Sequence, residues 1–397
     1  MFELEEVAGP GSDGNSTVIK VVGVGGAGGN AVDHMIREGV GGVEFICCNT
    51  DAQALKKSNA HVKLQLGPGL GAGGKPEKAR ELALMERERI AEALQGAHMV
   101  FITAGMGGGT GTGAGPVVAE VARELGILTV AVVTKPFEYE GKRKRLAEEG
   151  VAELSRHVDS LIVILNEKLE EVLGDEVSML EAFMAADNVL RNAVGGIAEI
   201  INVPGLVNVD FEDVRTVMGE MGKAMMGSAV AAGVDRARVA AEEAVASPLL
   251  EGVELSGARG VLVNITASNT LGLKEYKEVM KTIRQYTAPE ATVICGAVFD
   301  ESMEDQLRVT VVATGLGVVG VQAAKPSMRV VETEARGLRT GTDNLPVFDV
   351  TSVQAGIDLS SVSVSGRGSP RNSQVEQMAA SGVDKYDIPA FLRRQSD

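Results

Sequence analysis

The segment Gly107–Gly113 contains the residues whose types and spacing most clearly indicate chemistry. It reads Gly-Gly-Gly-Thr-Gly-Thr-Gly, follows an apolar run and precedes a helical pattern. Glycines let successive backbone N–H groups converge on an anion, threonine hydroxyls add donors, and a helix N-terminus supplies partial positive charge. A merely flexible connection is a poor alternative, because so much glycine costs conformational entropy without a gain in packing. The sequence therefore predicts a phosphate-binding loop that uses no lysine.

Two other glycine-rich segments compete for a similar interpretation. Gly23–Gly28 follows a strand and opens a helix, as a dinucleotide-binding fingerprint does, but this short pattern is weak evidence alone. Gly69–Lys75 has the spacing of a Walker phosphate loop, yet Pro76 stands where a Ser or Thr hydroxyl should meet Mg²⁺. We reject the second segment as a P-loop and keep the first as an alternative.

The elements that must position these loops alternate along the first half of the chain. Short apolar runs predict strands at Val18–Val24, Val43–Cys48, Val62–Leu66, Met99–Thr103, Leu128–Thr134 and Leu161–Leu165. Helical patterns occupy Pro76–Leu94, with Pro in the first turn, and Pro116–Leu125. Continuous apolar strands between helices indicate an α/β fold with a parallel sheet covered on both faces.

The second half begins with a long helical pattern over Ser178–Ile201, whose apolar residues recur at i, i+3, i+4 spacings. It predicts a central helix between two domains. A second, smaller α/β region follows, with elements at Val261–Thr266, Leu273–Tyr286 (a helix), Val293–Val298 and Leu307–Thr314. From about Leu316 the pattern stops and Ser, Gly and Val predominate, which predicts a disordered linker.

Composition excludes several classes of partner. The formal net charge of −16 repels nucleic-acid phosphates and anionic membrane surfaces. Cys47, Cys48 and Cys295 have no metal-ligand spacing and predict reduced core thiols. The first ten residues lack the basic and apolar regions of a signal peptide, and no stretch has the length of a membrane span. We expect a cytoplasmic protein without nucleic-acid binding or direct membrane insertion.

The Gly107–Gly113 heptapeptide resembles the G-G-G-T-G-[ST]-G motif of the tubulin and FtsZ family. Other segments resemble that family's nucleotide loops, namely Gly25–Asn30, Asn49–Asp51, Gly71–Pro76, and Thr134–Phe137 with Glu140 and Gly141. The final DIPAFLRRQ motif resembles the bacterial division proteins of the family rather than eukaryotic tubulins. The resemblance covers about Val18 to Thr314 and the last dozen residues.

This resemblance implies a GTPase that binds GTP and GDP, with Mg²⁺ held through the phosphates and water; no residue of the chain is named as a metal ligand. The implied phosphate contacts are Gly26, Ala27, Gly28, Gly29, Asn30, Gly107, Gly108, Gly109, Thr110 and Gly111. The implied nucleoside contacts are Glu140 at the ribose, Asn166 after the Leu161–Leu165 strand, Phe183 beside the base, and Asp187. Guanine presents two N–H donors on one edge, so a fixed carboxylate such as Asp187 can accept both.

One position departs from the family pattern. An Arg is expected four residues after Glu140, but Lys144 stands there. Alignment backward from the Ala147–Gly150 segment places Arg143 on that family Arg instead. We prefer Arg143, and the choice between the two remains open at this point.

Asn208, Asp210 and Asp213 match the family loop that completes the active site of the next subunit. If Val209–Met218 is helical, the two carboxylates are one turn apart and can orient a water for attack on a γ-phosphate. By physics alone, acidic residues at a helix N-terminus are explained equally well by the helix dipole. The resemblance favours catalysis shared between subunits, a non-closing head-to-tail contact and filaments. It implies a cytokinetic ring at the mid-cell division site, beneath the membrane.

We expect six regions along the chain. These are a disordered segment at 1–16, a GTP-binding domain at 17–177, a central helix at 178–203, a GTPase-activating domain at 204–316, a disordered linker at 317–383, and a docking peptide at 384–397. Asp387 can cap a short helix that places Ile388, Phe391 and Leu392 on one apolar stripe. Such a stripe predicts that Asp384–Asp397 binds membrane-tethering and regulatory division proteins.

Two alternatives belong to other functional classes. An NAD-dependent oxidoreductase built on Gly23–Gly28 needs hydride-transfer partners in the second half, and none of the histidines lies there: His34, His61, His98, His157. A nucleotide-binding scaffold that assembles without hydrolysis would not need both Asp210 and Asp213.

Overall fold

The computed structural model describes residues 17–174, 177–203, 209–220, 222–247 and 257–316. The predictions on residues 1–16, on the linker at 317–383 and on the docking peptide at 384–397 lie outside these ranges. So does the prediction on Asn208.

All described strands belong to one ten-stranded sheet. They are β1 Ile19–Val24, β2 Val43–Asn49, β3 Val62–Gln65, β4 Met99–Gly105, β5 Leu128–Lys135, β6 Ser160–Leu165, β7 Gly222–Ala232, β8 Gly260–Ala267, β9 Thr292–Phe299 and β10 Gln306–Leu316. Their spatial order is β3-β2-β1-β4-β5-β6-β7-β10-β8-β9. The strands from β3 to β7 pair in parallel, and β8 pairs in parallel with β9. Only β10 runs antiparallel to its neighbours β7 and β8.

Helices cover both faces of this sheet, as the continuous apolar strands predict. They are α1 Gly25–Arg37, α2 Ala52–Lys57, α3 Pro76–Met85, α4 Arg87–Leu94, α5 Thr110–Glu124, α6 Lys142–Leu154, α7 Asn166–Leu173, α8 Met179–Asn202, α9 Phe211–Met218, α10 Arg236–Val245 and α11 Leu273–Tyr286. One core contains residues of α1, α8 and α9, a second residues of α4, α5 and α6, and a third residues of α10 and α11. None of the helices in the described ranges is long and apolar enough to span a bilayer.

Helix α8 confirms the predicted central helix. Ser178 caps its first turn, because the Ser178 hydroxyl accepts from the Glu181 N–H at 3.2 Å while the Glu181 carboxylate accepts from the Ser178 N–H. The helix packs on α1 and β5 in one half of the sheet and on β8, β9 and β10 in the other. At its far end, Glu199 contacts the Arg308 guanidinium at 3.3 Å. The two halves of the fold therefore share this helix as well as the sheet.

Two predicted helices differ from the structure. The pattern over Pro76–Leu94 forms two helices, α3 and α4, separated at Glu86 by a residue with φ −102° and ψ 15°. The helix predicted to begin at Pro116 begins at Thr110 instead, so Pro116 lies inside α5. Because proline is most favourable in the first turn of a helix, the sequence-based prediction placed the start of this helix at Pro116, which is too late. The second half of the glycine-rich segment is therefore the first turn of α5.

Candidate functional site

A cleft of about 330 Å³ opens at the carboxyl ends of β1, β4, β5 and β6. In open α/β sheets this edge is where ligands gather. Ten of the predicted site residues line it, namely Gly26, Ala27, Gly108, Gly109, Thr110, Gly111, Glu140, Arg143, Asn166 and Phe183. Five further residues line the cleft. Thr134 and Pro136 belong to the predicted nucleotide loop Thr134–Phe137, whereas Val24, Gly105 and Met106 were not predicted as contacts. The signal that could have found most of them was their place at or just after a strand's carboxyl end.

Two helix N-termini point their backbone donors at this cleft. Helix α1 follows Val24 and helix α5 follows Gly109, and neither of these N-cap residues provides a side-chain cap. The first N–H groups of a helix have no partner within the helix, so they remain available to a ligand. Both helices also carry partial positive charge at these ends. The cleft is therefore built to accept an anionic group between α1 and α5.

The glycines of the two loops separate into two kinds. At Gly26 and Gly108 a Cβ atom would meet nothing within 4 Å, so neither packing nor a positive φ explains the glycine. Both positions line the cleft, and the space a side chain would fill is left to a ligand. At Gly111 a Cβ would lie 2.5 Å from the Gly105 carbonyl oxygen, and at Gly107, with φ +93°, it would lie 2.6 Å from the Arg143 carbonyl oxygen. The second pair is required by the fold itself.

The phosphate-binding loop predicted at Gly107–Gly113 is held from several sides. The Gly107 N–H donates to the Thr112 hydroxyl at 2.9 Å, and the Thr110 hydroxyl lies 2.7 Å from that of Thr50. The Met106 N–H donates to the Thr134 carbonyl at 2.9 Å. These bonds fix the loop before any ligand arrives, so its free N–H groups are preorganised.

Five of the residues predicted to bind the nucleotide do not line the cleft: Gly28, Gly29, Asn30, Gly107 and Asp187. A Cβ at Gly28 would lie 2.3 Å from the Thr103 carbonyl oxygen, so this glycine serves the packing of α1 on the sheet. Asn30 is exposed on α1, one turn after Gly26.

An aromatic group and an amide form the other end of the cleft. Phe183, on α8, makes an edge contact with Phe137 at 6.3 Å between ring centroids, and Phe137 stacks on Tyr139 at 5.3 Å. Asn166 is buried at the start of α7, and its Oδ1 atom has no hydrogen-bond partner in the structure. A buried amide oxygen without a partner is costly, so Asn166 offers an acceptor for an N–H or O–H group of a ligand.

Arg143 and Lys144 point to different partners. The Arg143 guanidinium pairs with the Glu140 carboxylate at 2.7 Å, and both residues line the cleft. Lys144 pairs with Glu138 instead and is not among the lining residues. That hydrogen bond lowers the pKa of the Glu138 carboxyl below its ordinary value. The geometry therefore favours Arg143 for contact with a ligand.

Asp187 lies one turn after Phe183 on α8, half-buried. Burial raises the pKa of its carboxyl to about 6, and the opposing effects of His34 and Arg37 on α1 are smaller. His34 is itself buried, and its Nε2 atom lies 2.7 Å from the Oδ1 atom of Asn188. Because burial leaves the ionised carboxylate poorly solvated, N–H donors of a ligand would stabilise it.

Asp210 and Asp213 lie at the opposite edge of the sheet. Asp210 caps α9, because its Oδ1 atom accepts from the Asp213 N–H at 2.8 Å. The next residue, Phe211, contacts the ring of His98 at 6.1 Å, and His98 immediately precedes β4. The cleft lies at the other end of β4, which has seven residues and a length of about 23 Å. Within one chain, the two exposed carboxylates are therefore remote from the cleft.

The described residues contain no group of three or more His, Cys, Asp or Glu side chains that could hold a metal ion.

Two family descriptions match the chain. Residues 18–174 match "Tubulin/FtsZ family, GTPase domain", and residues 222–317 match "FtsZ family, C-terminal domain". The protein named cell division protein FtsZ from Pseudomonas aeruginosa is 52% identical over 412 aligned residues, covering 100% of both chains. The protein of the same name from Coxiella burnetii is 52% identical over 99% of both. None of these matches supports the oxidoreductase alternative.

Solved structures agree with the fold. The FtsZ dimer from M. jannaschii superposes with a TM-score of 0.73 at 44% identity, covering 77% of this chain and 89% of that chain. CetZ1 from Haloferax volcanii superposes with a TM-score of 0.67 over 77% of this chain and 96% of that chain. At 19% identity, this similarity shows a shared fold and nothing further.

Proposed function

Because the chain belongs to the FtsZ family of tubulin-like cell-division proteins, we propose that it binds GTP in this cleft, hydrolyses it between adjacent subunits and assembles into the filaments of the bacterial division ring. Hydrolysis to GDP and phosphate would weaken the contact between subunits and so drive filament turnover. The single observation that carries the shared site is the position of Asp210 and Asp213 at the sheet edge opposite the cleft.

The phosphates are assigned to the two uncapped helix N-termini. The backbone N–H groups around Gly26 and Gly108 would bind phosphate oxygens, and the absence of side chains at both positions leaves the required space. Mg²⁺ bound to the phosphates would supply further positive charge against the transferring phosphoryl group. The lack of an acidic cluster in the described residues is compatible with such phosphate-bound Mg²⁺.

The nucleoside is assigned to the end of the cleft near α8. Phe183 packs against the base, Glu140 contacts the ribose with Arg143 paired beside it, and the Asn166 amide oxygen accepts a donor from the nucleoside. Asp187 reads guanine by accepting its two adjacent N–H donors, which adenine lacks. The raised pKa of Asp187 supports this role, since a poorly solvated carboxylate gains most from new donors.

The water-activating groups are assigned to the neighbour. In a head-to-tail contact, the α9 end of one subunit would face the cleft of the next, and such a contact continues into a filament because it need not close. Asp213 would orient the attacking water, since its carboxylate is exposed and its N–H, not its side chain, bonds to Asp210. Asp210 would hold the first turn of α9 in place and add a second negative charge near that water. Asn208, outside the described residues, is assigned to the same loop.

A mixing experiment tests the shared site. Gly108→Asp should block phosphate binding in the cleft and Asp213→Ala should remove the neighbour's group, so each variant alone should release little phosphate from GTP. In an equal mixture, about one contact in four should pair the intact cleft of an Asp213→Ala subunit with the intact α9 of a Gly108→Asp subunit. Activity should therefore return at those contacts. Glu212→Ala, one residue earlier and also exposed, is the matched control and should remain active. A mixture as inactive as its parts would refute the shared site.

Sedimentation with GTP, GDP and ATP, with phosphate release measured in parallel, tests the wider proposal. Assembly should require GTP, and specific activity should rise with protein concentration. GTP-dependent assembly without phosphate release would favour the non-hydrolysing scaffold. Residues 384–397 remain the proposed docking peptide for membrane-tethering and regulatory partners, which would hold the filament at mid-cell beneath the membrane.

A further inference from the structure

Helix α11 presents a basic face to solvent. Its residues Val279 and Ile283 are buried against the sheet. The exposed face carries four cations at spacings that align on one side of a helix, namely Lys274, Lys277, Lys281 and Arg284. A row of like charges along one helix face is unfavourable by itself, because neighbours three and four residues apart repel.

One acidic residue of the same helix, Glu278, lies a turn from Lys274 and from Lys281 in the described part of the chain. None of the four forms an ion pair there, although the formal net charge is −16. Glu275, on the same helix, is committed to the buried Arg236 guanidinium at 2.6 Å. The helix dipole favours a cation only in the last turn, which accounts for Arg284 but not for Lys274 or Lys277.

The same face contains an apolar groove. Tyr276 and Met280 line it together with Lys277, Lys281 and Arg284, and its volume is about 570 Å³. Tyr276 is half-buried, and its pKa is raised to about 12, chiefly by burial. An occupant that matches this surface needs apolar side chains for the floor and carboxylates for the rim.

We propose that this surface of α11 binds residues 1–7 of the same chain. Those residues read Met-Phe-Glu-Leu-Glu-Glu-Val, so they place Phe2, Leu4 and Val7 among three carboxylates: Glu3, Glu5, Glu6. The apolar side chains match Tyr276 and Met280, and the three negative charges match the unpaired cations. Contact with this segment neutralises the row of like charges on α11.

The segment is long enough to reach α11 within one molecule. Glu3 lies fourteen residues before Thr17, where the described chain begins, and fourteen residues span up to about 46 Å. From β1 to β9, beside α11, the sheet order gives seven strand spacings, or about 34 Å. A tether of this length gives an effective concentration in the millimolar range, so weak contacts suffice.

Zero-length carbodiimide cross-linking of the full chain tests the proposal, because the reagent joins a carboxylate to a lysine amine only when they touch. The protein is held with GDP at a concentration below assembly, and products are mapped by mass spectrometry. Cross-links from Glu3, Glu5 or Glu6 to Lys277 or Lys281 should exceed those to Lys63 at least fivefold. Lys63 is exposed on β3, two strands from β1, so a tether without a docking site would reach it more easily.

Charge reversal and isotope mixing complete the test. The Lys277→Glu/Lys281→Glu variant should lose the remaining cross-links to Lys274 at least fivefold, and reversing the charges of Glu3, Glu5 and Glu6 in the same chain should restore coupling between the two segments. Unchanged GDP binding by these variants shows that they are folded. Cross-links to Lys63 as abundant as those to α11 would overturn the proposal. So would products that join ¹⁴N and ¹⁵N chains in a mixed sample, since these place the segment on another molecule.

Discussion

Asp187 provides a prediction in which ligand binding and stability change in opposite directions. Burial raises the pKa of its carboxyl to about 6 in the ligand-free protein. Guanine donors bind only the ionised form well, so lowering the pH through 6 should weaken GDP binding. The Asp187→Asn exchange should remove this pH dependence and weaken binding at neutral pH by about 1–3 kcal/mol, because a guanine donor is left without a charged acceptor.

The magnitude follows from linkage. At pH 5, one unit below the raised pKa, about one carboxyl in ten is ionised, so the apparent Kd for GDP should rise about tenfold relative to pH 7.5. The free energy of unfolding of the ligand-free protein depends on pH in the opposite direction. The pKa of Asp187 is higher folded than its ordinary 3.8, so its stabilising contribution is complete below 3.8 and lost as the pH rises through about 6. At pH 7.5, Asp187→Asn should therefore stabilise the ligand-free protein by about 1–2 kcal/mol, after discounting for its partial exposure.

Fluorescence titration with a labelled GDP analogue between pH 5 and 8 measures the first effect, and thermal melting without nucleotide measures the second. The variant is also the control for protonation of the GDP phosphates, since it binds the same ligand. A twofold or smaller difference between the pH profiles of the native and Asp187→Asn proteins would refute the assignment of Asp187 to guanine. A lower Tm for the ligand-free variant at pH 7.5 would refute the conclusion that burial raises the pKa of Asp187.

Three further predictions follow from the cleft, the α9 carboxylates and the tail. Gly108→Ala should melt like the native protein yet bind GDP about tenfold to hundredfold more weakly, because its methyl group would enter cleft space, whereas Gly111→Ala should lower the Tm through its clash with a carbonyl. Asp213→Ala should retain equilibrium GTP binding but lose phosphate release, while Asp210→Ala should in addition cost about 1 kcal/mol of stability in a denaturant titration through the lost cap. Removal of residues 384–397 should spare GTP hydrolysis and sedimentation but abolish pull-down of division partners; failure to assemble would assign the tail to the folded body.

Much of the fold was predictable because its strands are apolar on both faces. Every strand predicted from an apolar run is present within two residues at each end, and the helix predicted at Leu273–Tyr286 has those bounds. The cleft was predictable from chemistry, because glycines at a strand-to-helix junction cost conformational entropy that packing does not offset. Its nucleoside side depended on the family resemblance, because Glu140 and Asn166 carry no local pattern of their own.

The missed elements have weak local signals. Strand β7 reads Gly-Lys-Ala-Met-Met-Gly-Ser-Ala-Val-Ala-Ala, in which small residues obscure the alternation expected of a strand. Helix α10 is rich in Ala and Glu and packs through its alanines. The roles of individual glycines were also beyond sequence reasoning. Gly26 and Gly111 look alike in the chain and both line the cleft, and only the atoms near a notional Cβ show that packing requires a glycine at Gly111 and not at Gly26.

Among the residues that the structure describes, the parallel ladder between β6 and β7 joins the two halves of the sheet through three residue pairs, Ser160–Ile162 with Gly222–Ala224. The neighbouring ladders are longer, with six pairs between β5 and β6 and nine between β7 and β10. The elastic compliance of the sheet is therefore concentrated at this seam. Helix α8, of 24 residues, crosses this seam and packs on both halves, so it reinforces the short ladder that links the base end of the cleft to β10.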